Sequence, residues 1–141
     1  MKNLTLAQSY LIKAKTRLKV LSVLYDENAF SDVVREAQEI VELALKGMLR
    51  QIGVEPPKVH DVGDLIVEYS DMFPESVRKD AHTLKEISHW LRKEREFAFY
   101  GEVDLIPTLE YTPEDARKAM DDAETVVRAA ESCIPLPETF R

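Results

Sequence analysis

Two arginines and a tyrosine stand in one short stretch, TLKEISHWLRKEREFAFYG, which runs from Thr83 to Gly101 and holds Arg92, Arg95 and Tyr100. A guanidinium stays charged at neutral pH and carries five donors in a planar fork, a geometry suited to phosphate or carboxylate. Arg95 has a second peculiarity. Val77, Ala81, Leu84, Ser88, Leu91, Arg95 and Ala98 follow one another at steps of three or four, so they share one side of a helix, and that side is otherwise core-like. Arg95 is therefore expected to point inward, where a guanidinium costs several kcal/mol unless an acceptor meets it. The acceptor is either a ligand or a carboxylate from another helix, such as Glu39 or Glu42.

Other residues could also do chemistry. His60 stands beside Asp61 at the expected entrance of a helix, where an imidazole could bind a ligand or transfer a proton; its plainer role is local packing. His82, Glu86, His89, Lys93 and Glu96 form a polar stripe that superficially resembles a zinc site. The histidines are seven residues apart rather than four, and Lys93 repels a cation, so no metal and no cofactor is expected. Lys13, Lys15, Arg17 and Lys19 could face phosphate, although four cations on an amphipathic helix ordinarily make a solvated face. The single cysteine, Cys133, excludes an intrachain disulfide and fits a small packing residue.

The elements that must position these residues are helical. Apolar residues recur at helical spacing from Leu4 to about Tyr25, and Asn28 or Ser31 can cap the next helix. The widest stripe runs through Val33, Val34, Ala37, Ile40, Val41, Ala44, Leu45, Met48 and Leu49, and must be buried against at least two neighbours. Gly53 fits a left-handed cap after it, and Pro56 with Pro57 stops continuation. A shorter helix starts behind Asp61 and ends near residues 71 to 73. The next runs from about Glu75 to Phe99, with Pro74 in its first turn, and the last begins at Thr112-Pro113-Glu114-Asp115 as cap, proline and acids. No strand-like alternation, glycine-rich phosphate loop, GxSxG or CxxC occurs. The expected fold is all-α: one five-helix up-and-down bundle over residues 1–134, with an irregular tail at 135–141.

With 141 residues the chain fits one domain that can bury a core. Its net charge of −7 argues against broad, non-specific duplex binding, which needs a continuous basic footprint, but leaves room for a small cationic site. No apolar run is long enough to span a bilayer, the N-terminus lacks the apolar centre of a signal peptide, and cysteine use fits a reducing compartment. A cytoplasmic location is expected. Trp90, Phe97, Phe99 and Tyr100 are expected in the core or at a subunit interface, which favours a homodimer.

The chain resembles the HEPN family, the higher eukaryotes and prokaryotes nucleotide-binding domain, from Ala7 to about Ala130. AQEIVELALKGMLRQIGVEPPKVHDVGDLI, from Ala37 to Ile66, and LRKEREFAFYGEVDLIPTLEYTPEDA, from Leu91 to Ala116, carry the resemblance. It implies a helical bundle that often pairs as a homodimer. It implies a site in which an arginine precedes a histidine by a few residues and which, in active members, cuts RNA across the dimer. It also implies, in prokaryotes, pairing with a small nucleotidyltransferase as toxin and antitoxin. Here Arg95 matches the arginine and Glu96 the polar position after it, but the histidine position holds Tyr100, giving Arg-x4-Tyr. Counting from Arg92 leads to Phe99 instead. A phenol, with an ordinary pKa of about 10, is a poor base at neutral pH.

The resemblance thus implies a protein that binds a nucleotide, RNA or a nucleotidyltransferase partner at a surface of Arg92, Arg95, Tyr100 and His60, as part of a toxin–antitoxin-type pair. Two alternatives stand beside it. One is an active metal-independent ribonuclease toxin with Arg95, Glu96 and Tyr100 at its site and His60 or His89 supplying the imidazole. The other is a structural helical adaptor with Arg95 as a buried ion-pair partner.

Overall fold

A computed structural model describes residues 3–58, 61–101 and 106–141, with the side chains of residues 96, 97 and 99 outside that description. Helix α1 (Leu6–Leu18) opens on a capping box: Thr5 accepts from the Gln8 amide, and the Gln8 side chain accepts from the Thr5 amide. The single helix expected from Leu4 to Tyr25 is divided into α1 and α2 (Val20–Asp26). The division falls at Lys19, whose amide donates to Thr16 in a tightened turn. Asn28 then takes a left-handed conformation with φ 60° and turns the chain into α3 (Phe30–Gln51). Neither Asn28 nor Ser31 caps α3, contrary to expectation. Ala29 holds the cap position without a side-chain bond, and Ser31 is buried inside the first turn.

The wide stripe makes α3 the axis of the structure. Val33, Val34, Ala37, Ile40, Val41, Ala44, Leu45, Met48 and Leu49 are all buried, and α3 packs against α1 and the two long helices nearer the C-terminus. After its last turn Gly53 adopts φ 84°, a conformation that glycine enters without penalty. The chain continues through α4 (Val62–Glu68), a 3-10 turn at Ser70–Met72, α5 (Glu75–Arg78) and α6 (Ala81–Phe99). The helix expected from Glu75 to Phe99 is thus broken before Ala81, and the Asp80 carbonyl accepts the first bond of α6 from Leu84.

A short α7 (Pro107–Glu110) precedes α8 (Pro113–Cys133), which starts at the capping box of Thr112 and Asp115. Beyond it Ile134 and Leu136 are buried, the Gln8 side chain donates to the Pro135 carbonyl at 2.7 Å, and a 3-10 turn forms at Glu138–Phe140. The fold is all-α. In place of five helices, the described residues form eight α-helical segments, because the first and fourth expected rods are each broken and α7 is added. Among the described residues no helix is long and apolar enough to cross a membrane.

Candidate functional site

Helix α6 presents a row of basic side chains and one hydroxyl that meets carboxylates from two other elements. Lys85 pairs with Asp64 of α4 at 3.3 Å. One turn on, Ser88 and His89 both reach Asp61, and Arg92 approaches the same carboxylate at 3.9 Å. At the far end Arg95 donates from Nη2 to Glu39 Oε1 on α3 at 2.7 Å.

Asp61 is the hub of this row, and the local fold explains why. As N-cap of α4 it accepts the Gly63 amide on Oδ1 at 2.9 Å. The same oxygen accepts from Ser88 Oγ at 3.3 Å, while Oδ2 faces His89 Nδ1 at 3.3 Å. The α4 entrance can lie this close to α6 because residue 63 has no side chain. A Cβ there would stand 3.0 Å from the Lys85 Cα and 3.2 Å from the Ser88 Cβ. The carboxylate is mostly shielded, with 18% of its side chain exposed, whereas the imidazole of His89 is 72% exposed.

Arg95 departs from expectation. The inward stripe holds at Val77, Ala81, Leu84, Ser88, Leu91 and Ala98, all buried, but the Arg95 side chain is 49% exposed. Its partner Glu39 lies on the polar flank of α3, and the long arginine stem lets the charged head stay in water while it bonds there. The buried ion pair of the adaptor reading is therefore corrected to a surface pair. Glu42, the other candidate acceptor, is engaged by Lys46 at 3.3 Å and by the buried Gln38 at 3.0 Å.

Tyr100, just past α6, is 75% exposed, and Ile106 and Leu109 are exposed near it in sequence. Trp90 lies instead against α8, where its indole donates to Asp122 at 2.8 Å and Lys118 lies over its ring at 4.1 Å. His60 and the Glu96 side chain, both expected at the site, fall outside the described residues, as do the side chains of Phe97 and Phe99. Of the basic residues on the first helix, Lys15 pairs with Glu131 and Arg17 with Glu36. Burial pushes the Cys133 thiol up to about 11, which leaves it an unreactive packing group.

Sequence reading singles out Arg92, Arg95 and Tyr100 but misses what surrounds them. Asp61 is legible only as a cap and Ser88 as a stripe residue, while His89 is legible as part of a metal-like stripe and as a candidate imidazole but without its partner. Their convergence depends on how α4 crosses α6, which no spacing within α6 encodes.

The chain matches the HEPN domain over residues 7–133. It belongs to the HEPN family. A protein of Methanocaldococcus jannaschii named "Putative toxin MJ1304" is 27% identical over 132 residues, covering 89% of this chain and 86% of that protein. No solved structure matches the chain.

Proposed function

We propose that this chain is the toxin-like half of a toxin–antitoxin-type pair and engages RNA or a nucleotide phosphate through Arg92 and Arg95, with Tyr100 contributing from just past the end of α6. The observation that carries this reading is the surface placement of Arg95. Its head is half exposed, and the bond to Glu39 engages Nη2 of a fork that has five donors. A guanidinium held in place by a neighbouring carboxylate is oriented before the phosphate arrives, so less side-chain entropy is lost on binding. The family membership and the relative named as a toxin support the same reading. The net charge of −7 disfavours a broad footprint for a polyanion, so binding needs a local cationic site such as this one.

Fluorescence anisotropy with a labelled single-stranded RNA at several salt concentrations tests it. Arg92→Ala and Arg95→Ala should each weaken binding across sequences and flatten the dependence of log affinity on log salt by about 0.7. Wild-type protein that shows neither binding nor a change in melting temperature with this RNA would end the reading.

The exposed apolar side chains of Tyr100, Ile106 and Leu109 support a second contact at the same end of α6, with a homodimer partner or a nucleotidyltransferase antitoxin. Light scattering of the chain alone and with the purified antitoxin separates the two, and Leu109→Glu should weaken whichever forms.

A further inference from the structure

We propose that the cleft between α1, α8 and the turn at Glu138–Phe140 binds a small organic monoanion with an aliphatic body, of the class of medium-chain carboxylates. The site shares no residue with the row on α6 and does not rest on the RNA reading.

The first acidic residue of the chain is Asp26, and Lys13, Lys15, Arg17 and Lys19 stand before it on α1 and its C-cap. Arg17 pairs with Glu36 and Lys15 with Glu131, whereas Lys19 is exposed and joins no ion pair among the described residues. Lys19 follows Lys15 by about one turn, and both border a cavity of about 340 Å³ together with Arg141. The apolar wall of this cavity is formed by Ile12, Leu18, Val127 and Phe140. A second cavity, of about 410 Å³, is walled by Leu11, Ile134 and Leu136 and shares Lys15, Glu131 and Arg141 with the first. The two spaces therefore meet at three charged side chains. Leu11, Val127 and Ile134 are buried core residues, so the floor is apolar and fixed.

Spaces of this size fall at the lower end of the range for small-molecule sites, about 300–1,000 Å³. The walls are aliphatic apart from Phe140 and Pro135, so an aliphatic body gains by leaving water there. Among the lining side chains three cations face one carboxylate, in a chain whose net charge of −7 otherwise repels anions. Glu131 opposes a second negative charge, which favours a carboxylate over a phosphate monoester. The cationic heads are oriented in advance. Lys15 Nζ lies 3.3 Å from Glu131 Oε2 and 3.5 Å from the Phe140 carbonyl oxygen, and Arg141 Nε donates to the Leu136 carbonyl at 3.1 Å. Such ordering lowers the entropy lost on binding. The Glu131 side chain is 43% exposed, so it can turn into water and yield Lys15 to the ligand.

The test titrates the isotope-labelled full chain with octanoate and follows its amide signals by NMR, with acetate, 1-octanol and octyl phosphate as comparisons and melting curves on every variant. Octanoate should produce saturable shifts centred on Lys15, Lys19, Val127 and Phe140. Acetate lacks the body and 1-octanol the charge, so each should bind at least about tenfold more weakly, and octyl phosphate should also bind more weakly than octanoate. Lys19→Gln, at an exposed position, should keep the melting temperature and weaken octanoate at least about threefold. Glu131→Gln removes the opposing charge and should tighten it. The inference is overturned if millimolar octanoate gives no saturable shift at these residues, if any of the three comparison compounds binds as tightly as octanoate, or if either variant binds octanoate like wild type.

Discussion

Arg95 on α6 and Glu39 on α3 are joined by a 2.7 Å hydrogen bond across the outside of the bundle, not through its core. That placement decides what the arginine is worth to folding. An exposed ion pair contributes about 0–1 kcal/mol, because water competes for both charges and two long side chains lose freedom. A buried pair that loses one partner costs about 3–5 kcal/mol. Arg95→Ala is therefore expected to lower stability by less than about 1 kcal/mol in urea unfolding. A loss of several kcal/mol would return Arg95 to the interior and revive the adaptor reading.

Gly63 sets the distance between α4 and α6, and an alanine there should separate them. Alanine gains up to about 1 kcal/mol of helix propensity over glycine. Against that stands a Cβ only 3.0 Å from the Lys85 Cα, a backbone atom that cannot rotate away. Overpacking of this kind costs about 1–3 kcal/mol. Gly63→Ala should thus be net destabilising, and the amide and ring signals of Ser88 and His89 should shift in NMR spectra as Asp61 moves off. A variant as stable as wild type with unmoved signals would mean that α4 does not need this contact.

How much of this is legible in the sequence depends on how far apart the causes lie. The stripe of α3 lies within one helix of 22 residues, so local spacing alone shows that it must be buried. Thr112 with Pro113, and Gly53, are local signals too, and each appears where the spacing places it. The break at Lys19 leaves no such signal, because that residue keeps right-handed helical angles and merely tightens one bond to Thr16. Arg95 shows the limit of periodicity: a stripe position near the end of a helix can meet the flank of a neighbour instead of its core. The cluster around Asp61 lies beyond single-element reasoning altogether, since Asp61 and His89 are 28 residues apart and meet only because Gly63 lets two helices touch.

The alkaline limit of the fold should be set in part by Tyr111. Its side chain is buried after α7, and burial, then the nearby Glu94 and Asp115 carboxylates, push its phenol up to about 12 from the ordinary 10. All three causes disfavour the phenolate in the folded state only. Below pH 10 the phenol is neutral in both states, and the folded form gives up nothing. As pH rises through 10 the unfolded chain ionises first and gains stability, so the folded state loses ground between about pH 10 and 12. Tyr111→Phe removes this loss, while the four other tyrosines remain in both proteins and cancel in the comparison. Melting temperatures of wild type and Tyr111→Phe should therefore keep a constant difference up to about pH 10 and then shift in favour of the phenylalanine variant. Curves that stay parallel through pH 12 would show that the phenol ionises no later in the folded chain than in the unfolded one.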